Sequence, residues 1–472
     1  MTLLLRLSCS PCSLLLSTAL LLLPVVLARH EPIDIVIKYT GGDAEFLHEV
    51  SDYASGNQVK EILAKRDIVA LTVESEEAFE KIKSLPGVEA VDLDLPRSAF
   101  VVRTMSGRVL QNLNQEEVMP YGIEMVQAPE VWPTPEVDEN LVVCVVDTGY
   151  DLGHVDLPTE RDGTTGTNTF AGLWPIDGDG HGTHCAGTVG AIGNNDRGVI
   201  GVRPDPDKFE FHIGKGLFNS GVGTDSTIMA AVEGCVEAGA RVISMSLGGP
   251  GATRVTEEFY RSVYEDDGVL LVAAAGNDGT TEQSYPASFP FVMSVAAIDS
   301  NEKRASFSQC NDQVEIAAPG VNVLSTYPEN RYRELSGTSM ACPHVAGVAA
   351  EIWARFPSCT NTQIRNVLLR TSKALDDDGC YNAFGSGLVQ ANEAYKMLAE
   401  SGCAAGDRTD NEPNVTGGCT QNPDFVRSEN PFYGTCGGGS GKGSSASIYG
   451  FSRLCLVALV GILAALLAGE WD

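Results

Sequence analysis

The apolar run from Leu141 to Val146 places the strongest constraint on the fold of this chain, because an acid, Asp147, follows it directly. Six consecutive apolar residues are typical of a strand buried on both faces, as strands of parallel sheets are. In open α/β sheets, ligands bind beyond the carboxyl ends of the strands. The segment therefore predicts a largely parallel α/β sheet with Asp147 at its ligand-binding edge.

Two further polar residues each open a segment of small residues. His181 begins the run that continues to Gly187, and Ser339 follows Gly337 and precedes an apolar helix predicted over Val345 to Trp353. A helix N-terminus offers free N–H groups and the positive end of the helix dipole, which suits a serine nucleophile. Taken alone, the second segment is equally typical of a capped core helix with an incidental serine.

The chain order Asp147, His181, Ser339 is the order of the Ser-His-Asp triad in subtilisin. Asn277 follows another apolar strand, which ends near Ala275, and its amide is placed to donate a hydrogen bond to an oxyanion. These motifs resemble those of the subtilisin-like serine proteases, the subtilases. The context of Cys185 is most similar to the proteinase K branch.

The resemblance extends from Glu117 to Tyr395 and implies a catalytic domain over residues 119–398, with the three-layer subtilisin-like fold. It also implies that substrate lies extended between two short segments, with an apolar residue preferred at P1 and an acid at the rim of the P1 pocket. The implied substrate-binding residues are Gly221, Val222, Gly223, Ser246, Leu247, Gly248 and Asp278. Ordinary turn glycines are an equally good explanation of the first segment.

The resemblance further implies a structural calcium ion, and no catalytic cofactor. Asp156 and Asn195 would ligate it through their side chains, and Glu117 stands where the family has a glutamine ligand. Carboxylate and amide oxygens are the ligands that Ca²⁺ prefers. An Asn-rich turn without a metal is the alternative, because Arg197 departs from the apolar residue usual at its position.

The N-terminal third is predicted to be processed. Residues 1–28 have the pattern of a secretory signal peptide. Residues 29–103 alternate strand and helix patterns and resemble the inhibitor I9-type propeptide of subtilases. Residues 104–118 form a linker, and maturation is expected between Pro96 and Glu116. A permanent N-terminal domain is the alternative.

The C-terminal part differs in composition. Residues 399–453 form a predicted stalk rich in Cys, Gly and Ser, with a glycosylation sequon at Asn414. The apolar run over 454–469 fits a GPI-anchor signal, a short membrane span or a tail helix packed on the domain.

Charge and cysteines limit the environment. A net charge of −30 argues against nucleic acid as a partner. It favours solubility and weak attraction to cationic peptides, and an acidic surface suited to a saline medium is the preferred alternative explanation. A secreted chain meets an oxidising compartment, where Cys359 could pair with Cys380, whereas Cys144 is predicted to be a free thiol in a buried strand.

The sequence therefore predicts a monomeric serine endopeptidase, secreted or anchored at the cell surface, with broad specificity and with its own propeptide as inhibitor. A limited-processing protease at the membrane and an inactive subtilase-fold binding protein are the alternatives.

Overall fold

The computed structural model describes residues 32–40, 44–101, 109–110, 117–134, 140–375, 382–407, 425–427 and 434–436. The predicted signal peptide, the Asn414 sequon, Cys380 and the apolar run 454–469 lie outside these residues. Within them, no helix is both long and apolar enough to cross a membrane.

The chain alternates strands and helices. The strands are β1 Ile33–Tyr39, β2 Ala54–Leu63, β3 Ile68–Val73, β4 Val88–Leu93, β5 Pro96–Ala99, β6 Val109–Leu110, β7 Glu117–Val118, β8 Leu141–Asp147, β9 Thr165–Thr167, β10 Gly198–Val199, β11 Phe209–Lys215, β12 Val222–Thr224, β13 Val242–Met245, β14 Leu247–Gly248, β15 Leu270–Ala274, β16 Val292–Ile298, β17 Val314–Pro319, β18 Val323–Tyr327, β19 Arg331–Leu335, β20 Phe425–Arg427 and β21 Gly434–Cys436. The α-helices are Ala44–Ser51, Glu76–Lys83, Tyr121–Met125, His181–Gly190, Asp225–Glu237, Arg254–Glu265, Thr338–Arg355, Asn361–Thr371 and Ala391–Ser401, and short 3-10 helices span Ala64–Arg66, Glu160–Asp162 and Cys403–Gly406.

Seven strands form the central sheet, in the order β17-β16-β15-β13-β8-β11-β9. All their pairings are parallel, and the apolar residues of β8, β13 and β15 are almost completely buried, because helices cover the sheet. Helix Thr338–Arg355 packs on β13, β15, β16 and β17, and helix Asp225–Glu237 packs on β8, β9 and β11. The predicted three-layer α/β fold with a parallel sheet is confirmed.

An N-terminal subdomain, residues 33–94, precedes this sheet. Its antiparallel sheet has the order β2-β3-β1-β4 and a separate core in which Ile35, Ile37 and Leu71 are fully buried. Ser75 accepts a hydrogen bond from the N–H of Ala78 and caps the second helix. Strand β2 was not predicted, because its register shifts interrupt the alternating pattern.

Two cysteine predictions are wrong. Cys144 is not free, because it forms a disulfide with Cys235, which lies 91 residues later in helix Asp225–Glu237. Cys359 pairs with Cys403 rather than with Cys380. Periodicity identifies the buried strand that carries Cys144, but it says nothing about which helix packs against that strand.

We expect the double variant Cys144→Ala, Cys235→Ala to lose about 2–4 kcal/mol of unfolding free energy, since the disulfide no longer restricts the unfolded chain. Urea unfolding of the full chain measures this. Cys342→Ala, which removes a buried free thiol from the same core, is the control and should lose less. Equal losses in the two proteins would exclude a disulfide contribution.

Candidate active site

Polar residues follow three neighbouring strands of the sheet. Asp147 ends β8, Ser246 follows β13 and Asn277 lies just beyond β15, and these strands are adjacent in the order β15-β13-β8. Because carboxyl ends of parallel strands meet at one edge, the sheet delivers the three side chains to one place. His181 and Ser339 reach it from the N-termini of their helices.

Asp147 and His181 form a buried pair. His181 Nδ1 lies 2.6 Å from Asp147 Oδ1, which also accepts a hydrogen bond from the N–H of Thr148 at 2.7 Å. Burial lowers the pKa of His181, but the charge and hydrogen bond of Asp147, together with the adjacent Cys185, outweigh that effect, and the pKa lies well above the ordinary histidine value. Asp147 therefore fixes the orientation of the imidazole and stabilises its protonated form.

Ser339 is the second residue of its helix and is completely buried. Its Oγ donates to the carbonyl of Ser246 at 2.8 Å and accepts from the N–H of Phe100 at 3.0 Å. Since the single hydroxyl proton points at Ser246, the Ser339 side chain must rotate before that proton can pass to His181. A hydrogen bond between a catalytic serine and its histidine often forms fully only when substrate reaches the attack position.

Pro343 lies inside the helix that carries Ser339 and leaves one carbonyl of that helix free. The N–H that would bond the Ser339 carbonyl belongs to the residue four positions later, and proline has no N–H. The freed carbonyl instead accepts from Ser246 Oγ at 2.8 Å and from Cys185 Sγ at 3.5 Å. Proline thus allows two side chains from other elements to hold the backbone of Ser339.

The amide of Asn277 is held in one orientation. Its Oδ1 accepts from both the N–H and the hydroxyl of Thr338 at 2.9 Å, whereas its Nδ2 is buried and has no hydrogen-bond partner among the described residues. A Cβ on Gly337 would lie 3.1 Å from Asn277 Nδ2 and 2.2 Å from the carbonyl oxygen of Phe100. The unpaired Nδ2 donor of Asn277 and the carbonyl oxygen of Phe100 therefore both lie beside Gly337, where a side chain would separate them. An oxyanion hole requires a donor in such a position.

Strand β5 lies in the cleft between the two segments implied as substrate-binding. It pairs antiparallel with β12, where Ser98 faces Val222, and with β14, where Ala99 faces Leu247. The N–H of Ala99 donates to the Gly221 carbonyl at 2.9 Å. Main-chain pairing on both edges is how a protease groove binds an extended peptide.

The ring of Phe100 occupies the next pocket. A Cβ on Gly248 would lie 2.7 Å from this ring and 2.9 Å from Ser284 Oγ, so glycine is needed for an aromatic side chain to enter. Asp278, the acid implied at the rim, is exposed. The pocket as filled here holds an aromatic side chain.

The N-terminal subdomain contacts two helix N-termini beside the cleft. Asp94 accepts from the N–H of Ser226 at 2.8 Å and from its hydroxyl at 2.7 Å, and Asp92 accepts from the N–H of Val255 at 2.9 Å. Carboxylates are stabilised at helix N-termini by free N–H groups and the helix dipole. Arg66 adds a pair with Glu233 at 2.8 Å.

The residues implied as calcium ligands are close together. Asn195 donates from its side chain to Asp156 Oδ1 at 2.7 Å and from its backbone to Glu117 Oε1 at 3.1 Å. Burial raises the pKa of Asp156 to about 7, and the charge of Glu117 adds to this effect. Two acids that repel each other beside an amide fit a divalent cation through hard oxygen ligands.

Sequence reasoning missed Phe100, Arg97 and Asp225. Arg97 and Asp225 form a buried ion pair with Nε to Oδ1 at 2.7 Å. The sequence contains only a weak indication that Asp225 belongs to the site, because an acid at the start of a helix is typical of ordinary dipole stabilisation. Only the contact of Asp225 with Arg97 of β5 indicates another role.

Comparison with known proteins agrees with this geometry. The sequence model of the subtilase family (peptidase S8) matches residues 138–387. The chain belongs to the subtilase family. It is 44% identical to Subtilisin Savinase of Lederbergia lenta over 59% of this chain and 99% of that protein, and 39% identical to M-protease of Shouchella clausii over 72% of this chain and 87% of that protein.

A solved structure gives the same fold. The psychrophilic subtilisin-like protease of the Antarctic psychrotroph Pseudoalteromonas sp. AS-11 is 28% identical, with a TM-score of 0.54 over 61% of this chain and 99% of that chain. This subtilase is therefore a serine-type endopeptidase, as the motifs predict. The narrower likeness to the proteinase K branch stays a prediction.

We expect kcat/KM of the mature subtilase to fall as pH decreases through the His181 pKa, because only the neutral imidazole accepts the serine proton. Asp147 raises that pKa, so the midpoint lies above about 6.5, the ordinary histidine value. In Asp147→Asn the midpoint should move to lower pH, and the plateau should fall by about 10⁴-fold. Peptide hydrolysis across pH measures both.

The control is His212→Gln, because His212 bonds to Thr165 and Thr167 away from the triad. Burial lowers the pKa of His212 to about 4, so its loss should leave the midpoint unchanged. An unshifted midpoint in Asp147→Asn would contradict the assigned coupling.

Proposed function

We propose that this subtilase is an extracellular endopeptidase made as a zymogen, in which Ser339, His181 and Asp147 form the catalytic triad and Asn277 contributes to the oxyanion hole. One observation carries the proposal. Strand β5 occupies the cleft as an extended peptide, with the N–H of Phe100 on Ser339 Oγ. The peptide bond from Phe100 to Val101 is the first bond to be cut.

The reaction is acyl transfer to water. Ser339 Oγ attacks the carbonyl carbon, and His181 takes the hydroxyl proton and then gives it to the leaving amine. Asn277 Nδ2 and a backbone N–H stabilise the negatively charged oxygen of the tetrahedral intermediate. Water, deprotonated by His181, then hydrolyses the acyl-enzyme and restores Ser339.

The N-terminal subdomain acts as propeptide and inhibitor. Two features support this role: β5, the strand that directly follows the subdomain, fills the groove, and the subdomain carboxylates Asp92 and Asp94 bind helix N-termini on the catalytic domain. After the first cut, the subdomain still covers the groove, so inhibition persists until the subdomain is released or degraded.

Disulfides support an extracellular location. Cys144–Cys235 and Cys359–Cys403 are both formed, and such bonds persist in oxidising compartments. The predicted signal peptide gives the route. An anchor at residues 454–469 remains a prediction, and the presence of Asp147, His181, Asn277 and Ser339 disfavours an inactive binding protein.

We expect secreted wild-type protein to begin at Val101 or later, and Ser339→Ala to keep the segment before it, because the first cut is made by the chain itself. N-terminal sequencing of both proteins from a secretory host measures this. Ser336→Ala, a serine in the same segment that bonds to Asn322, should process normally. Loss of the segment from Ser339→Ala at the same bond would contradict self-processing.

We also propose that Glu117, Asp156 and Asn195 hold a structural calcium ion. The support is the pair of acids gathered around Asn195, whose repulsion a cation would relieve. The ion would tie the start of the catalytic domain to the loop before β10, where β7 and β10 pair.

Chelation with EDTA should lower the melting temperature of the mature protein, since a bound ion at about 100 times its Kd stabilises by about 2.7 kcal/mol. Asp156→Asn should melt lower and lose the response to EDTA. Asp207→Asn, an exposed acid, should keep it. A melting temperature unaffected by EDTA in wild type would contradict the calcium site.

A further inference from the structure

The subtilase groove holds a buried arginine four residues before the bond proposed for cleavage. With Phe100 at P1, Ala99, Ser98 and Arg97 occupy P2, P3 and P4. The side chain of Arg97 is 1% exposed, although it belongs to the strand that must leave the groove. A buried arginine loses its hydration, so the protein must supply an opposite charge and hydrogen-bond acceptors in place of water.

The hydrogen-bond acceptors of Arg97 all belong to the catalytic domain. Arg97 Nε and Nη2 donate to the two carboxylate oxygens of Asp225 at 2.7 and 3.0 Å. Arg97 Nη1 donates to the Pro250 carbonyl at 2.8 Å, and Nη2 donates to the Gly251 carbonyl at 2.9 Å. The guanidinium thus makes a bidentate pair and two carbonyl bonds, an arrangement that matches its planar set of donors.

Asp225 is 3% exposed in this state and lies at the first position of helix Asp225–Glu237. Burial raises the pKa of this carboxyl to about 7, and Arg97 acts in the opposite direction. An apolar P4 side chain would cover the acid without pairing it, which leaves a buried polar group unsatisfied. Glutamine could donate from its single amide nitrogen, but it cannot reproduce the bidentate pair and carries no charge to balance the carboxylate.

We propose that the mature subtilase selects peptides with arginine at P4, through Asp225 and the carbonyls of Pro250 and Gly251, together with an aromatic residue at P1. This inference rests on the proposed function and narrows the broad specificity predicted from the sequence. The net charge of −30 acts in the same direction, because it attracts cationic peptides. Lysine should be accepted less well, since an ammonium group cannot pair bidentately.

The test compares p-nitroanilides with the sequences Arg-Ser-Ala-Phe, Lys-Ser-Ala-Phe and Gln-Ser-Ala-Phe, the first copying Arg97–Phe100. We expect kcat/KM for the arginine peptide to exceed that for the glutamine peptide by at least about tenfold. In Asp225→Asn the ratio should fall close to one, with the glutamine peptide cleaved as well as by wild type. Glu265→Gln, which removes an exposed acid from another helix, should keep the wild-type ratio.

The Asp225 variant is made in two forms, because its own propeptide would otherwise bury an unpaired arginine. The second form adds Arg97→Gln, which restores a neutral pair. Equal kcat/KM for the arginine and glutamine peptides in wild type, with cleavage abolished by Ser339→Ala, would overturn the P4 pocket and leave the proposed function intact. Absence of cleavage of every peptide would count against the proposed function.

A binding measurement tests the arginine pocket independently of the proposed peptidase activity. Calorimetry measures the affinity of the peptide Asp94–Phe100, and of its Arg97→Gln counterpart, for the purified mature protein. We expect at least about tenfold weaker binding of the glutamine peptide. Equal affinities would overturn the arginine pocket whether or not the protein cleaves peptides.

Discussion

The parallel pairing of β15, β13 and β8 is the constraint on which the site depends. Parallel neighbours place all their carboxyl ends at one edge, so Asp147, Ser246 and Asn277 meet although they lie far apart in the sequence. The helices that bring His181 and Ser339 start at that same edge. A change that slipped one strand by a residue would therefore displace a side chain of the site and turn its neighbours to the wrong face.

Much of this arrangement follows from local patterns. Asp147 ends an apolar run, and His181 and Ser339 each open a segment rich in small residues, which the sequence displays directly. The helix of Ser339 begins at Thr338 rather than near Val345, where its apolar pattern becomes clear, because glycine and proline obscure its first turn. Sequence patterns thus placed Ser339 at the N-terminus of its helix, where the structure has it, although the apolar pattern alone begins only near Val345.

Long-range pairings are what the sequence could not supply. Cys144 lies next to Cys235 only because one helix packs on β8, and Asp225 pairs with Arg97 only because β5 crosses the groove. Neither contact produces a periodic pattern in the sequence, and both depend on the completed fold. The calcium residues are an intermediate case, since the resemblance named them and the structure brings them together, while the ion itself remains a proposal.

Ser246 and Ser339 are joined in both directions: the Ser246 carbonyl accepts from Ser339 Oγ, and Ser246 Oγ donates to the carbonyl that Pro343 leaves free. Ser246 also precedes β14, one of the two strands that hold the bound peptide. The bond from Ser246 Oγ to the Ser339 carbonyl does not involve the Ser339 side chain, so it is kept when that side chain rotates. It ties the backbone of the nucleophile to one wall of the groove, so the same residue fixes the position of the peptide and the position from which the serine attacks.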